Sequence, residues 1–304
     1  MRILIAGGTG LIGTALTESL LADGHQVWVL TRRPGRASLP QGATALGWNG
    51  RDSLGWGHVL SQVDAVVNLA GETLARWPWT KSRRRLLMDS RLLAGKALTQ
   101  AIQAASPRPQ VLIQASGVNF YGPHRQELVT EGDGPGLDFL SGLCVQWEAS
   151  TQPVEELGVR RAVIRTAVVF APQGGILPLM LLPVRLFAGG PLGGGRQGLA
   201  WIHLADEVAA IRFLLENQNA RGPFNLTAPA PISNADFTRT AARLLRRPYW
   251  LPAPAFALRL ALGQMSTLIL DGAYLHPSRL QALGFTFRFA SLEAALKDLL
   301  GKKD

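Results

Sequence analysis

The chain has 304 residues, 47% of them hydrophobic, enough for one large core or two modest ones. Its single cysteine, Cys144, excludes an internal disulfide and a multi-cysteine zinc site, and no metal is expected. The formal charge of +10 rests on 31 basic residues, mostly arginine, scattered in short clusters without interleaved aromatics, which argues against a nucleic-acid partner. No run of about 18 apolar residues is free of charges and breakers, so no membrane partner is expected. The longest candidate, 176–188, contains Pro178, Pro183 and Arg185. The apolar start reads as a strand and not as a signal peptide, which implies a soluble, reducing, cytoplasmic setting.

Residues 2–6 form the first apolar run, and Gly7, Gly10 and Gly13 follow at three-residue spacing before a helical pattern at 11–23. Strand, glycine turn and helix N-terminus in this order make a phosphate cradle. One glycine reverses the chain, one lets backbone approach a pyrophosphate, and one lets helix and strand pack closely. Thr9, Leu11 and Ile12 belong to the same turn. The second strand, 26–31, ends in Thr31, Arg32 and Arg33. An acidic residue about 20 positions past the turn would grip the ribose hydroxyl of NAD. Two guanidinium groups there suit the extra phosphate of NADP(H) instead, unless they merely solvate a loop.

Further strands are read at 43–48, 65–69, 111–115 and 161–168. Helices are read at 54–62, 80–105 and 137–157. Strands alternating with helices predict an α/β fold, a doubly wound parallel sheet of the Rossmann type. The glycine-rich segment 189–198 reads as a loop. The pattern then becomes mainly helical at 233–245, 254–271 and 291–301. Residues 1–168, joined by 200–228, are expected to form the nucleotide-binding domain. Residues 169–199 and 229–304 would form a smaller substrate lobe.

The motifs resemble those of the extended short-chain dehydrogenase/reductases. Gly7, Gly10 and Gly13 match the GxxGxxG form, and Asn68-Leu69-Ala70-Gly71 resembles the NxAG element. Ser116 with Phe120-Tyr121-Gly122, Arg165 with Val169-Phe170, 201–206 (WIHLAD) and 224–226 (FNL) resemble later elements. The stretches NLAGE (68–72), Arg76-Trp77, Ser90-Arg91, SGV (116–118), DFL (138–140) and Trp147-Glu148 resemble a narrower atypical group. That group is the "epimerase family" of NAD(P)-binding proteins, whose members include uncharacterised oxidoreductases and cell-division-inhibitor-like proteins. The segment 248–300 resembles its C-terminal helical domain. The resemblance implies bound NADP(H), an unknown small-molecule substrate and a monomer or homodimer. It also implies cofactor contacts from Asn68, Leu69, Ala70, Gly71, Glu72, Arg91 and Ser116.

Ordinary members carry a Tyr-x-x-x-Lys pair, whose spacing puts both side chains on one helix face. Here Tyr121, Tyr249 and Tyr274 are followed four residues later by Arg125, Ala253 and Ser278. Phe139 or Leu140 replaces the tyrosine, and Leu143 or Cys144 the lysine. Ser116 and Tyr121 become the candidate catalytic residues. Ser116 either bonds a substrate carbonyl or caps a turn, and Tyr121 is either a surrogate acid or a core aromatic. Arg165 and His203 are substrate candidates, with sheet capping and loop ordering as alternatives. Glu72 and Arg91 either serve a ligand or sit in structural ion pairs. Cys144 reads as a buried small hydrophobe. The cluster Arg83–Arg85 reads as a solvated helix face. Three functions stay open: an NADP(H)-dependent oxidoreductase, a non-catalytic NADP(H)-binding regulator and an RNA binder.

Overall fold

The computed structural model describes residues 1–123 and 127–301, so Arg125 lies outside the described residues. The first half runs β1 (Arg2–Ala6), α1 (Leu11–Ala22), β2 (Gln26–Thr31), β3 (Thr44–Gly47), β4 (Ala65–Asn68), α2 (Lys81–Ala104) and β5 (Val111–Gly117). There follow β6 (Leu128–Val129), α3 (Phe139–Ala149), β7 (Arg160–Thr166), β8 (Val168–Phe170), α4 (Leu177–Arg185), β9 (Trp201–His203), α5 (Leu204–Glu216) and β10 (Gly222–Leu226). The last part holds α6 (Asn234–Leu245), α7 (Ala255–Leu262), α8 (Thr267–Leu270), β11 (Tyr274–Leu275), α9 (Ser278–Ala282) and α10 (Leu292–Leu299).

Seven parallel strands form the main sheet in the order β10-β7-β5-β4-β1-β2-β3. Side chains alternate across β1. Ile3 and Ile5 pack with Leu16 and Leu20 of α1 on one face, and Leu4 and Ala6 with Leu98 and Ile102 of α2 on the other. Both faces are covered, which explains why β1 is apolar throughout and does not alternate with polar residues. The chain leaves β1 toward β2 and β3, then returns to its other side at β4. That reversal opens a crevice at the carboxyl ends of β1 and β4.

Several elements differ from the sequence expectation. The helix expected at 54–62 is a 3-10 turn, Gly57–Gln62. The helix expected at 137–157 ends at Ala149, and a separate turn at Gln152–Val154 carries Pro153. The segment 254–271 is broken at Gly263, whose φ of +54° ends α7. The strand expected at 161–168 ends at Thr166, and β8 leaves the main sheet to pair with β9. The strand β10 has no counterpart among the expected strands: it is short, lies at the sheet edge and contains Pro223, as edge strands tolerate. A third core, around Phe170, Trp201 and Phe237, lies under α4 and α6.

Candidate functional site

The glycine turn is fixed by contacts. Gly7 has a φ of +83°, and a Cβ there would lie 2.6 Å from the Leu69 carbonyl carbon. A Cβ on Gly13 would lie 2.4 Å from the Gly7 oxygen and 2.6 Å from Gly8 Cα, so only glycine lets α1 approach β1. Gly10 is different. A Cβ there would meet only the Gly7 oxygen, at 3.3 Å, so this glycine faces open space. Gly10 is also the N-cap of α1 and provides no side-chain cap. The first-turn amides of Leu11, Ile12 and Gly13 therefore keep donors free for an anion.

In front of this turn lies a cleft of about 960 Å³. Gly7, Thr9 and Gly10 form one wall, Thr31, Arg32 and Arg33 a second, and 69–72 a third. Arg32 and Arg33 are exposed, and Arg51 and Arg76 face the same cleft. The carboxylates on the lining are Glu72 and Asp89, and both have arginine partners: Arg83 at 3.1 Å and Arg85 at 3.6 Å. The cleft thus favours polyanions. Sequence reasoning gave Arg51 and Arg76 no binding role. Arg51 stands just beyond the carboxyl end of β3, where the crevice rule would have pointed to it. Asn68 does not line the cleft. It is fully buried, donates to Gln114 Oε1 (2.9 Å) and accepts from Ala70 N (3.2 Å), so it shapes the 69–71 turn.

Glu72 and Arg91 do not pair. Arg83 Nη1 and Nη2 donate to Glu72 Oε1 at 3.1 and 3.2 Å. Arg83 is buried and not solvated, because positions 83, 87, 91, 94 and 98 share the inward stripe of α2. Arg91 donates to the Glu72 and Leu87 carbonyls, both at 3.1 Å, and lies 4.8 Å over the Trp147 ring. Burial pushes its pKa down to about 10. A Cβ on Gly71 would sit 3.0 Å from Arg91 Cζ, so the arginine braces the cleft floor from beneath.

The other half of the candidate site is closed. Tyr121 is 1% exposed. Its hydroxyl donates to Asn225 Oδ1 (2.6 Å) and accepts from Arg165 Nη1 (3.0 Å). Burial pushes the phenol pKa up. Tyr121 thus sits as a core aromatic with its hydroxyl engaged on both sides. Arg165 is engaged within the protein: Nε and Nη2 bond the two oxygens of Glu148 at 2.9 and 3.0 Å, and Cζ lies 3.4 Å from the Phe120 ring centre. Ser116 Oγ donates to Glu148 Oε1 at 2.7 Å. The structure thus brings Ser116, Tyr121 and Arg165 together, around a carboxylate that sequence reasoning gave no role.

His203 lies elsewhere. Its Nδ1 accepts from Ala205 N (3.0 Å) and caps α5, its Nε2 is 3.2 Å from Asp298 Oδ2, and its ring stacks 3.9 Å from that of Phe289. Burial holds its pKa below the ordinary imidazole value. Asp206 accepts from Arg288 N and Phe289 N at 2.8 and 2.9 Å, so this pair orders a late loop. In α3, Phe139 packs edge-on against Trp79 and Leu143 is buried, which leaves no proton donor where the Tyr/Lys pair would stand. The Cys144 thiol is pushed up to about 11 by burial, which makes it a poor nucleophile. No described helix is long and apolar enough to cross a membrane.

Comparison with known proteins agrees with this fold. Residues 3–227 match the sequence model of the NAD dependent epimerase/dehydratase family, and 253–299 match a domain of unknown function, DUF1731. An epimerase family protein of Staphylococcus aureus (strain bovine RF122) is 39% identical over 303 residues, covering 99% of both chains. The crystal structure of human epimerase family protein SDR39U1 (isoform 2) with NADPH is similar at 33% identity and a TM-score of 0.89, with both chains fully covered. A nucleoside-diphosphate sugar epimerase from Corynebacterium glutamicum is 31% identical with a TM-score of 0.81, and this chain spans 58% of its length.

Proposed function

Because the chain belongs to the NAD dependent epimerase/dehydratase family, as an atypical extended short-chain dehydrogenase/reductase, we propose that it binds NADP(H) and acts as an oxidoreductase on a small organic substrate. One observation carries the cofactor choice. Arg32 and Arg33 stand exposed at the end of β2, on the same cleft as the glycine turn, where an NAD-specific site would place a carboxylate. The human relative crystallised with NADPH, which supports the same choice.

The residues fit the dinucleotide. The first-turn amides of α1 would hold the pyrophosphate, and Gly10 leaves room for it. Arg32 and Arg33 would grip the 2′-phosphate, with Arg51 and Arg76 adding positive field. The 69–71 turn, braced by Arg91, would line the adenosine side. When bound, the dinucleotide supplies or accepts a hydride. Ser116, at the carboxyl end of β5, is the other inherited hydroxyl; it is buried and donates to Glu148, so it would meet a substrate oxygen only on turning from that carboxylate. With Tyr121 engaged in the core, the proton would come from water, from the substrate itself, or from Ser116 once its hydroxyl turns from Glu148.

The test is a substrate screen with carbonyl and enone compounds on protein stripped of nucleotide. An oxidoreductase would show substrate-dependent NADPH oxidation that falls in Ser116→Ala. Tight NADPH binding without turnover across the screen would favour a second reading, a non-catalytic NADP(H)-binding regulator. The engaged Tyr121 hydroxyl and the apolar face of α3 favour that reading specifically.

A further inference from the structure

The acidic residues are unevenly distributed. Residues 157–205 and 237–270 contain no Asp or Glu. The second stretch carries Arg239, Arg243, Arg246, Arg247 and Arg259, and the first carries Arg185 and Arg196 beside the buried arginines of β7. Both stretches carry exposed apolar residues, and they meet where Phe187 and Gly189 bond Trp250 and Leu251. The outer stripe of α4 presents Leu179, Leu182 and Leu186, the last 66% exposed. Phe187 follows directly, and the Trp250 indole donates to its carbonyl at 2.8 Å. Trp250 itself is 65% exposed. Backbone bonds from Trp250 and Leu251 to the Gly189 oxygen join the two stretches firmly.

Shortly after Leu251 the chain enters α7, with the sequence AFALRLAL. All of these residues but Arg259 are apolar, yet none of 255–261 is buried. Phe256 is 73% and Leu260 87% exposed, one turn apart. Helices on the surface of a soluble domain bury their apolar stripe. This one leaves its stripe in water, and exposed apolar surface of this kind marks a contact surface. Around it, Arg185, Arg246 and Arg259 make no ion pair among the described residues, and Arg247 lies 4.2 Å over the Phe187 ring. Long arginine stems can lie along apolar surface while their heads stay in water.

We infer that the α4/α7 face docks on an anionic lipid bilayer surface. Apolar side chains and a tryptophan would enter the headgroup boundary, and the arginines would meet lipid phosphates. Charge separates this occupant from a second copy of the chain. A twofold self-contact would set the same unpaired arginines against each other, with no acidic residue in either stretch to offset them. The contact is peripheral and needs no membrane-crossing helix. It gives part of the segment matched as a domain of unknown function a physical role.

The test is flotation of the full chain with vesicles of phosphatidylcholine, alone and mixed with phosphatidylglycerol. The expected result is binding at least about tenfold stronger to the anionic vesicles, weakened by added salt. A Phe256→Asp/Leu260→Asp variant loses that binding and keeps its NADPH affinity, which reports that it is folded. If it fails to fold, Arg247→Glu/Arg259→Glu serves the same purpose. No binding to anionic vesicles at low salt overturns the inference, as does equal binding to both vesicle types. Concentration-dependent self-association that the same variants abolish overturns it too, in favour of a second copy.

Discussion

The two halves of the crevice are built from the same kinds of residue and do opposite things with them. At the glycine turn and the end of β2, donors are left open: uncapped first-turn amides and the exposed guanidinium groups of Arg32 and Arg33. At the ends of β5 and β7, donors are consumed: Ser116, Tyr121 and Arg165 are tied to Glu148, Asn225 and each other. A buried polar network that satisfies itself rigidifies the fold, whereas unsatisfied donors on a cleft await a ligand. The contrast teaches that motif residues along one edge of a sheet can be tied into a self-satisfied network on one side of the crevice and left open on the other.

The sharpest way to break this contrast is Gly13→Ala. Its Cβ would press within 2.4 Å of the Gly7 oxygen, and backbone must move. We expect NADPH affinity to fall at least about a hundredfold, with about 1–3 kcal/mol lost from stability. Titration and thermal unfolding read both. Next in size is Arg32→Ala/Arg33→Ala, which should lower NADPH affinity by about ten- to a hundredfold and leave NADH almost unchanged.

Tyr121→Phe tests the closed half. Removing the hydroxyl strands Asn225 Oδ1 and one Arg165 donor, at a cost of about 1–3 kcal/mol, with NADPH affinity and any turnover kept. Lost turnover in a fully stable variant would show that Tyr121 is chemical after all. The pH-dependent test concerns Glu207. It is fully buried, accepts from Thr166 Oγ1 at 2.8 Å, and is raised by burial from 4.5 to about 8. A raised folded value means the proton is held more tightly in the fold. Its stabilisation is complete below the unfolded value and is lost as pH rises through about 8. Glu207→Gln should flatten the fall in Tm between those values by a few degrees. An unchanged slope would place the titration elsewhere.

The open half is legible in the sequence because its geometry is backbone geometry. Glycines at 7, 10 and 13 after an apolar strand specify turn, approach and packing with no distant partner. The closed half is not legible, because Glu148 meets Ser116 and Arg165 across 32 and 17 residues, and Tyr121 meets Asn225 across 104. Three adjacent arginines suggest solvent at Arg83, although its place on the stripe of Leu87, Arg91 and Leu98 points inward. The break in 254–271 lies at a single glycine, and Pro223 hides β10.

The most direct measurement is calorimetric titration of stripped protein with NADPH and NADH, for the native chain and Arg32→Ala/Arg33→Ala. Tight NADPH binding, weak NADH binding and loss of the difference in the variant are the expected result. Equal binding of both dinucleotides by the native chain would contradict it, and the arginines at the end of β2 would then be surface charge and no more.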